Sequence, residues 1–147
     1  MEKRTRPSRD YIWIKAAQLF AARSTCLKPN GAVLVKDNDL ISQGFNGACS
    51  GLPHCTDLGA CETGSDGGCI RTVHAESNLI AKAAKRGIST EGSEVFCTTS
   101  PCYSCAKLLV NAGIKKITYV NEYRDPRGIE LLRSCGVEVR QYDPEKE

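Results

Sequence analysis

Three side chains of this 147-residue sequence have the types and spacing of a metal site. His74 stands in Thr72-Val-His-Ala-Glu76, and Cys102 and Cys105 belong to Ser100-Pro-Cys-Tyr-Ser-Cys105. One imidazole and two thiolates give zinc three ligands, and a tetrahedral ion then keeps a fourth position for water, as catalytic rather than closed structural sites do. Zinc lowers the pKa of such a water to about 7. Glu76 would lie about 200° round a regular helix from His74, so the two cannot ligate from one face and the carboxylate is left to move protons. A carboxylate beside an activated water can take its proton and hand it to a ring nitrogen and then to a departing amine. That sequence of transfers is hydrolytic deamination of an amidine-like heterocycle. Taken singly, His74 also fits a capping or core histidine, and Cys102 with Cys105 fits a redox dithiol or half of a structural zinc knuckle. The joint spacing H-x-E with P-C-x-x-C is far more specific than either fragment.

A second constellation is Cys26, Cys55, Cys61 and Cys69. The chain has nine cysteines, and an odd count in a sequence without an apolar leader argues against a disulfide framework and for metal binding. Four thiolates would close a structural zinc site and tie down the glycine- and cysteine-rich stretch 48–70, which is too long for an unsupported loop in a compact domain. His54 or Cys49 could replace one of the four. Cys97 and Cys135 are expected in the core as small hydrophobes.

These residues need a scaffold, and the hydrophobic pattern supplies one. A helix is expected over 9–24 behind the capping Ser8, then strands over 32–36 and 40–45 joined by Asp37-Asn-Asp39. A helix follows over 75–86 with Gly87 as its stop, a strand over 94–98, and a helix that Pro101 precedes and that runs through about Asn111. A strand over 116–120, a helix over 127–134 and a strand over 137–141 complete the pattern, and 143–147 reads as a solvated tail. The order α-β-β-α-β-α-β-α-β implies an α/β fold with an antiparallel first pair of strands and a sheet covered on both faces. Both halves of the motif, at His74 and at Cys102 to Cys105, fall at helix starts, where amides and the positive dipole end favour thiolates.

With 41% hydrophobic and 25% charged residues, the chain fits one domain over 1–147 with a single core. A net charge of +3 is too mild for an extended nucleic-acid or anionic-membrane surface. No run approaches the length of a membrane span, and the expectation is a cytoplasmic protein.

The signature H-x-E with P-C-x-x-C is that of zinc nucleobase deaminases. Much of the chain is similar to the deoxycytidylate deaminase family of bacteria and phages: Arg6-Pro-Ser-Arg-Asp10, Arg23-Ser-Thr-Cys26, Gly31-Ala-Val-Leu-Val35, Gly44-Phe-Asn-Gly47, Ser50-Gly-Leu-Pro-His-Cys55, Cys69-Ile-Arg-Thr-Val-His-Ala-Glu76, Pro101-Cys-Tyr-Ser-Cys105 and Asn111-Ala-Gly-Ile-Lys-Lys116. The resemblance implies a three-layer α/β/α cytidine-deaminase sandwich around a five-stranded mixed sheet and conversion of dCMP to dUMP for thymidylate supply. It also implies a homo-oligomer, often a hexamer, activated by dCTP with magnesium and inhibited by dTTP. By the same resemblance His74, Cys102 and Cys105 bind catalytic zinc, Glu76 is the proton shuttle, and the Ala75 amide faces the pyrimidine carbonyl. A second zinc belongs near the cysteine-rich stretch.

Asn46 matches a sugar-contacting position, although Asn46-Gly47 is also good turn chemistry. Gly44, Phe45, Asn46 and Gly47 resemble a segment associated with the triphosphate effector. Tyr123 and Arg124 follow the fourth strand, where Tyr123 could cover the base and Arg124 meet a phosphate; Arg124 also reads as a plain surface charge. The sequence departs from the family at Asn30, usually aliphatic, and Arg9, usually aromatic. A deaminase for dCTP, cytidine or tRNA adenosine shares this metal chemistry, and a zinc-stabilised nucleotide-binding module without turnover is the alternative from another class.

Overall fold

The computed structural model describes residues 1–146. Helix α1 (Arg9–Ala21) starts at Ser8, whose hydroxyl accepts from the Tyr11 amide at 3.1 Å. It is three residues shorter than the periodicity predicts. Ala22 already closes the last turn on the carbonyls of Leu19 and Phe20, and the chain leaves the helix to carry Cys26 inward. Strands β1 (Gly31–Lys36) and β2 (Asp39–Phe45) form the expected hairpin. Its turn has Asp37 and Asn38 at φ 52° and 64°, the left-handed pair that a two-residue hairpin of matching twist requires.

The stretch 48–70 is more ordered than expected. Strand β3 (Gly47–Ala48) pairs with β4 (Thr72–Val73), a short helix α2 (Cys55–Leu58) lies between them, and Thr63 bridges Cys69. The remainder is α3 (Ala75–Arg86), β5 (Glu94–Thr99), α4 (Tyr103–Asn111), β6 (Lys116–Asn121), α5 (Arg127–Ser134) and β7 (Glu138–Gln141). In the expected tail, Pro144–Lys146 makes a single 3-10 turn, and Glu147 lies outside the described residues.

The main sheet has the order β2-β1-β5-β6-β7. β1 is antiparallel to both neighbours, whereas β5, β6 and β7 are parallel, so the sheet is mixed. Side chains alternate between its faces. Ala32 and Leu34 of β1, with Val95, Cys97, Ile117 and Val139, pack against α3, α4 and α5 through Leu79, Leu109 and Leu132. Val33, Val35 and Phe96 point the other way, onto Ile14 and Ala17 of α1. The result is three layers, α/β/α, and β1 is buried along nearly its whole length because both of its faces are covered. Fully buried Leu79, Leu109, Ile117 and Leu132 each contribute about 1.5–3 kcal/mol to that packing.

Cys97 is in this core, as expected, but Cys135 is exposed. Gly136, at φ 80°, turns the chain just past α5, and Val137 rather than Cys135 folds back, its amide donating to the Leu132 carbonyl at 3.0 Å.

Candidate active site

Two helix starts converge at the C-terminal end of β5. His74 is the extended N-cap residue of α3 (φ −65°, ψ 155°), Cys102 the extended N-cap residue of α4 (φ −69°, ψ 170°), and Cys105 lies in the first turn of α4. His74 is therefore outside the regular helix that carries Glu76, so the angular separation expected for two helical residues does not apply. Both sulfurs lie 3.4 Å from His74 Nδ1. Bond lengths of about 2.3 Å to sulfur and 2.0–2.1 Å to nitrogen round a tetrahedral zinc place such atoms roughly 3.5 Å apart, so the three residues fit the ion. Nδ1 is the histidine atom that faces both sulfurs.

Glu76 is buried in the first turn of α3, in the wall of a pocket that also includes His74, Ala75 and Cys102. Burial pushes its carboxyl up to about 7, against the opposing pull of its own amide and of His74. Cys102 is brought down to about 4, chiefly by its hydrogen bond with Cys105 despite partial burial, with His74 adding to the effect. Cys105 is pushed up by the same sharing, and His74 is raised by its bond to Cys102. Binding a cation here would require both thiols and the imidazole to be deprotonated.

The four other predicted ligands also meet. The Cys26 and Cys61 sulfurs are 3.6 Å apart and those of Cys55 and Cys69 3.7 Å, with all four mutually within 4.8 Å. A disulfide holds its sulfurs at about 2.05 Å, whereas a tetrahedral zinc holds thiolates roughly 3.8 Å apart, so this donor set fits a closed zinc site. Burial raises Cys55 to about 12. Burial also opposes ionisation of Cys69, but hydrogen bonds from the Thr72 side chain and from the Thr72 and Arg71 backbone outweigh it and bring Cys69 to about 6. Cys49, which is exposed, and His54 lie outside the cluster.

Asn46 lines the pocket, and its carboxamide is held by the surrounding loop. Its Oδ1 accepts from the Asn30 amide at 2.8 Å and Ser24 Oγ at 2.5 Å, and its Nδ2 donates to the Lys28 carbonyl at 2.8 Å. Asn30, where the resemblance leads one to expect an aliphatic residue, accepts from Thr99 Oγ1 at 2.6 Å and so ties this loop to the end of β5. Arg9 is exposed at the start of α1. Of Gly44, Phe45, Asn46 and Gly47, only Asn46 lines the pocket; Phe45 carries Lys82 over its ring at 5.3 Å. Tyr123 and Arg124 both reach the pocket.

Sequence reasoning missed six lining residues, Lys28, Asn30, Gly68, Thr72, Thr99 and Ser100. The only signal for Lys28 was a cation between the candidate ligand Cys26 and Gly31. Ser100 accepts from the Tyr123 amide at 2.7 Å, a contact between residues far apart in sequence.

The family model described as "Cytidine and deoxycytidylate deaminase zinc-binding region" matches residues 7–121, which include every residue of both clusters. The chain belongs to the cytidine and deoxycytidylate deaminase family. Among relatives of this deaminase-family chain, "ComE operon protein 2" of Bacillus subtilis is 38% identical over 140 residues, covering 94% of this chain and 73% of that protein. The deoxycytidylate deaminase of Schizosaccharomyces pombe is 34% identical over 149 residues, covering 96% of this chain and 46% of the yeast enzyme, so the chain spans about half of that relative. The crystal structure of dCMP deaminase from the cyanophage S-TIM5 in complex with dCMP and dUMP superposes with a TM-score of 0.82 at 39% identity. It covers 95% of this chain and 100% of the phage chain. Among the described residues, no helix of this deaminase-family chain is long and apolar enough to cross a membrane.

Proposed function

We propose that this chain deaminates dCMP, consuming water and producing dUMP and ammonia, with His74 Nδ1, Cys102 and Cys105 holding the catalytic zinc. The observation that carries this reading is Glu76, buried in the pocket wall in the same helix turn that follows the ligand His74. A closed structural zinc site has no need of a free carboxylate there. When bound, the zinc supplies Lewis-acid activation of water near neutral pH. Glu76 takes a proton from the attacking water and gives it to the ring nitrogen next to C4, then takes the proton of the hydroxyl added at C4 and delivers it to the amine as the C4–N bond breaks and the carbonyl forms. The Ala75 amide, at the start of α3, orients the pyrimidine carbonyl, and the Asn46 carboxamide meets the sugar. Tyr123 covers the base and Arg124 meets the phosphate.

The choice of dCMP draws support from the phage enzyme crystallised with dCMP and dUMP, which this chain matches over nearly all its length. A second, structural zinc at Cys26, Cys55, Cys61 and Cys69 is supported by the sulfur spacing. Activation by dCTP with magnesium, inhibition by dTTP, a site for them at Gly44 to Gly47, and a homo-oligomer up to a hexamer are part of the same proposal, on resemblance. So are a single domain over 1–147 and a cytoplasmic location.

The test is uracil-nucleotide production from dCMP, run beside dCTP and deoxycytidine, with and without dCTP and magnesium in the dCMP reaction. Turnover of dCMP is the expected result, rising with the effector. Turnover of another substrate alone overturns the substrate assignment, and zinc-loaded protein silent on all three overturns the enzyme reading.

A further inference from the structure

Arg124 already has a partner. Its Nη2 donates to the Asp66 backbone carbonyl at 2.7 Å and pairs with Asp66 Oδ2 at 3.6 Å, while its guanidinium lies 5.0 Å from the Tyr123 ring centre. Asp66 sits in a tight loop whose stems end in Cys61 and Cys69, two members of the four-cysteine cluster. Asp66 Oδ1 accepts from the Gly68 amide at 2.9 Å, and Gly64 donates to the Gly68 carbonyl at 2.8 Å. Gly68 lines the pocket together with Tyr123 and Arg124, and a Cβ there would come within 3.3 Å of Arg124 Nη2, so glycine lets the guanidinium lie flat against the loop. One Asp66 carboxylate oxygen thus builds the loop, and the other faces the cation at the pocket mouth.

We propose that Asp66 is a positioning residue that parks Arg124 at the mouth of the pocket, its carboxylate being the group that the phosphate of an incoming nucleotide replaces. The side chains of Arg124 and Asp66 are 47% and 68% exposed, so their ion pair is weak and readily exchanged. A phosphate monoester offers greater charge and a geometry that the guanidinium fork matches with two bonds. An unphosphorylated nucleoside brings nothing to exchange for the carboxylate, so the pair, a clasp on Arg124, stays intact in its presence. The backbone carbonyl of Asp66 keeps the guanidinium in place throughout the exchange. The inference rests on the reading of the pocket as a nucleotide site.

The decisive variant is Asp66→Asn, which retains the Oδ1 acceptor and the backbone carbonyl but removes the competing charge. KM for dCMP is expected to fall about three- to fivefold, the range of an exposed pair, with kcat within about twofold and no gain for deoxycytidine. Arg124→Gln is expected to raise KM for dCMP by about tenfold or more and to make Asp66→Asn silent when the two are combined. A rise in KM for Asp66→Asn, an equal shift for deoxycytidine, or an undiminished gain in the Arg124→Gln background overturns the clasp. Calorimetric affinity for dUMP separates the two readings. Protein that binds dUMP more tightly as Asp66→Asn yet never turns over dCMP keeps the clasp and overturns the enzyme. Turnover with dUMP affinity unmoved by Asp66→Asn does the reverse, and no binding of dUMP at all overturns the clasp.

Discussion

Gly44 of β2 lies against the first turn of α3 so closely that a methyl group on it would overlap the Ala75 carbonyl oxygen and crowd the Leu79 amide. The helix that begins with the ligand His74 and carries Glu76 is therefore seated directly on the strand backbone. Gly44→Ala forces the two apart, and overpacking of this kind costs about 1–3 kcal/mol. Denaturant unfolding should show that loss, together with weaker retention of the catalytic metal. A variant of unchanged stability would mean that the helix start yields without cost.

Glu76→Gln preserves shape and removes the exchangeable proton. It should retain zinc, measured by metal analysis, while kcat drops by about 10²–10⁴-fold. Normal turnover would remove Glu76 from the mechanism. In metal-free protein the same variant reports on burial. Because the carboxyl is raised from 4.5 to about 7 in the folded state, its contribution to stability is present below about 4.5 and is lost as pH rises through about 7. Metal-free Glu76→Gln should lack that part of the pH dependence, read from unfolding midpoints at pH 5 and pH 8.

The sulfur geometry predicts two zinc ions per chain. Cys69→Ser should reduce the count to about one while leaving the ion at His74, Cys102 and Cys105, since the two donor sets share no residue. A count near one in the unmodified protein would eliminate the four-cysteine site.

The thiols should divide sharply by reactivity. Cys49 and Cys135 are exposed and should alkylate first in the metal-loaded protein at neutral pH. Cys97 is fully buried, and burial pushes its thiol well above the usual range, so it should resist until unfolding. Chelation should add Cys102, brought down to about 4 by its hydrogen-bond partners, to the reactive set. Peptide mapping by mass spectrometry distinguishes the three classes, and rapid labelling of Cys97 in the native state would contradict its placement.

Much of this architecture was legible in the chain because the signals were local. The periodicity of 75–86, the Asp37-Asn38 turn and the apolar runs at 32–36 and 94–98 each report a nearby backbone state, and each appears in the structure within a residue or two. The motif His74-Ala-Glu76 with Cys102-Tyr-Ser-Cys105 carries its chemistry in its spacing, since ligand type and N-cap position are both short-range properties. The helix expected to reach residue 24 stops at Ala21, and Cys135 turns outward, because those ends depend on where the chain must go next.

The sequence by itself determined which residues could ligate metal, which carboxylate stood free beside them, and that strands and helices would alternate behind them. Only the tertiary structure decided that Cys26, Cys55, Cys61 and Cys69 converge while His54 and Cys49 do not, that Asn46 and Asn30 lock the loop beside the pocket, and that Asp66 reaches Arg124 across 58 positions. The physical reason is the range of the interactions. Propensity, capping and motif spacing act over a few residues, whereas donors and acceptors far apart in sequence meet only after the apolar faces of the sheet have been buried and the loops have been drawn to one end of it.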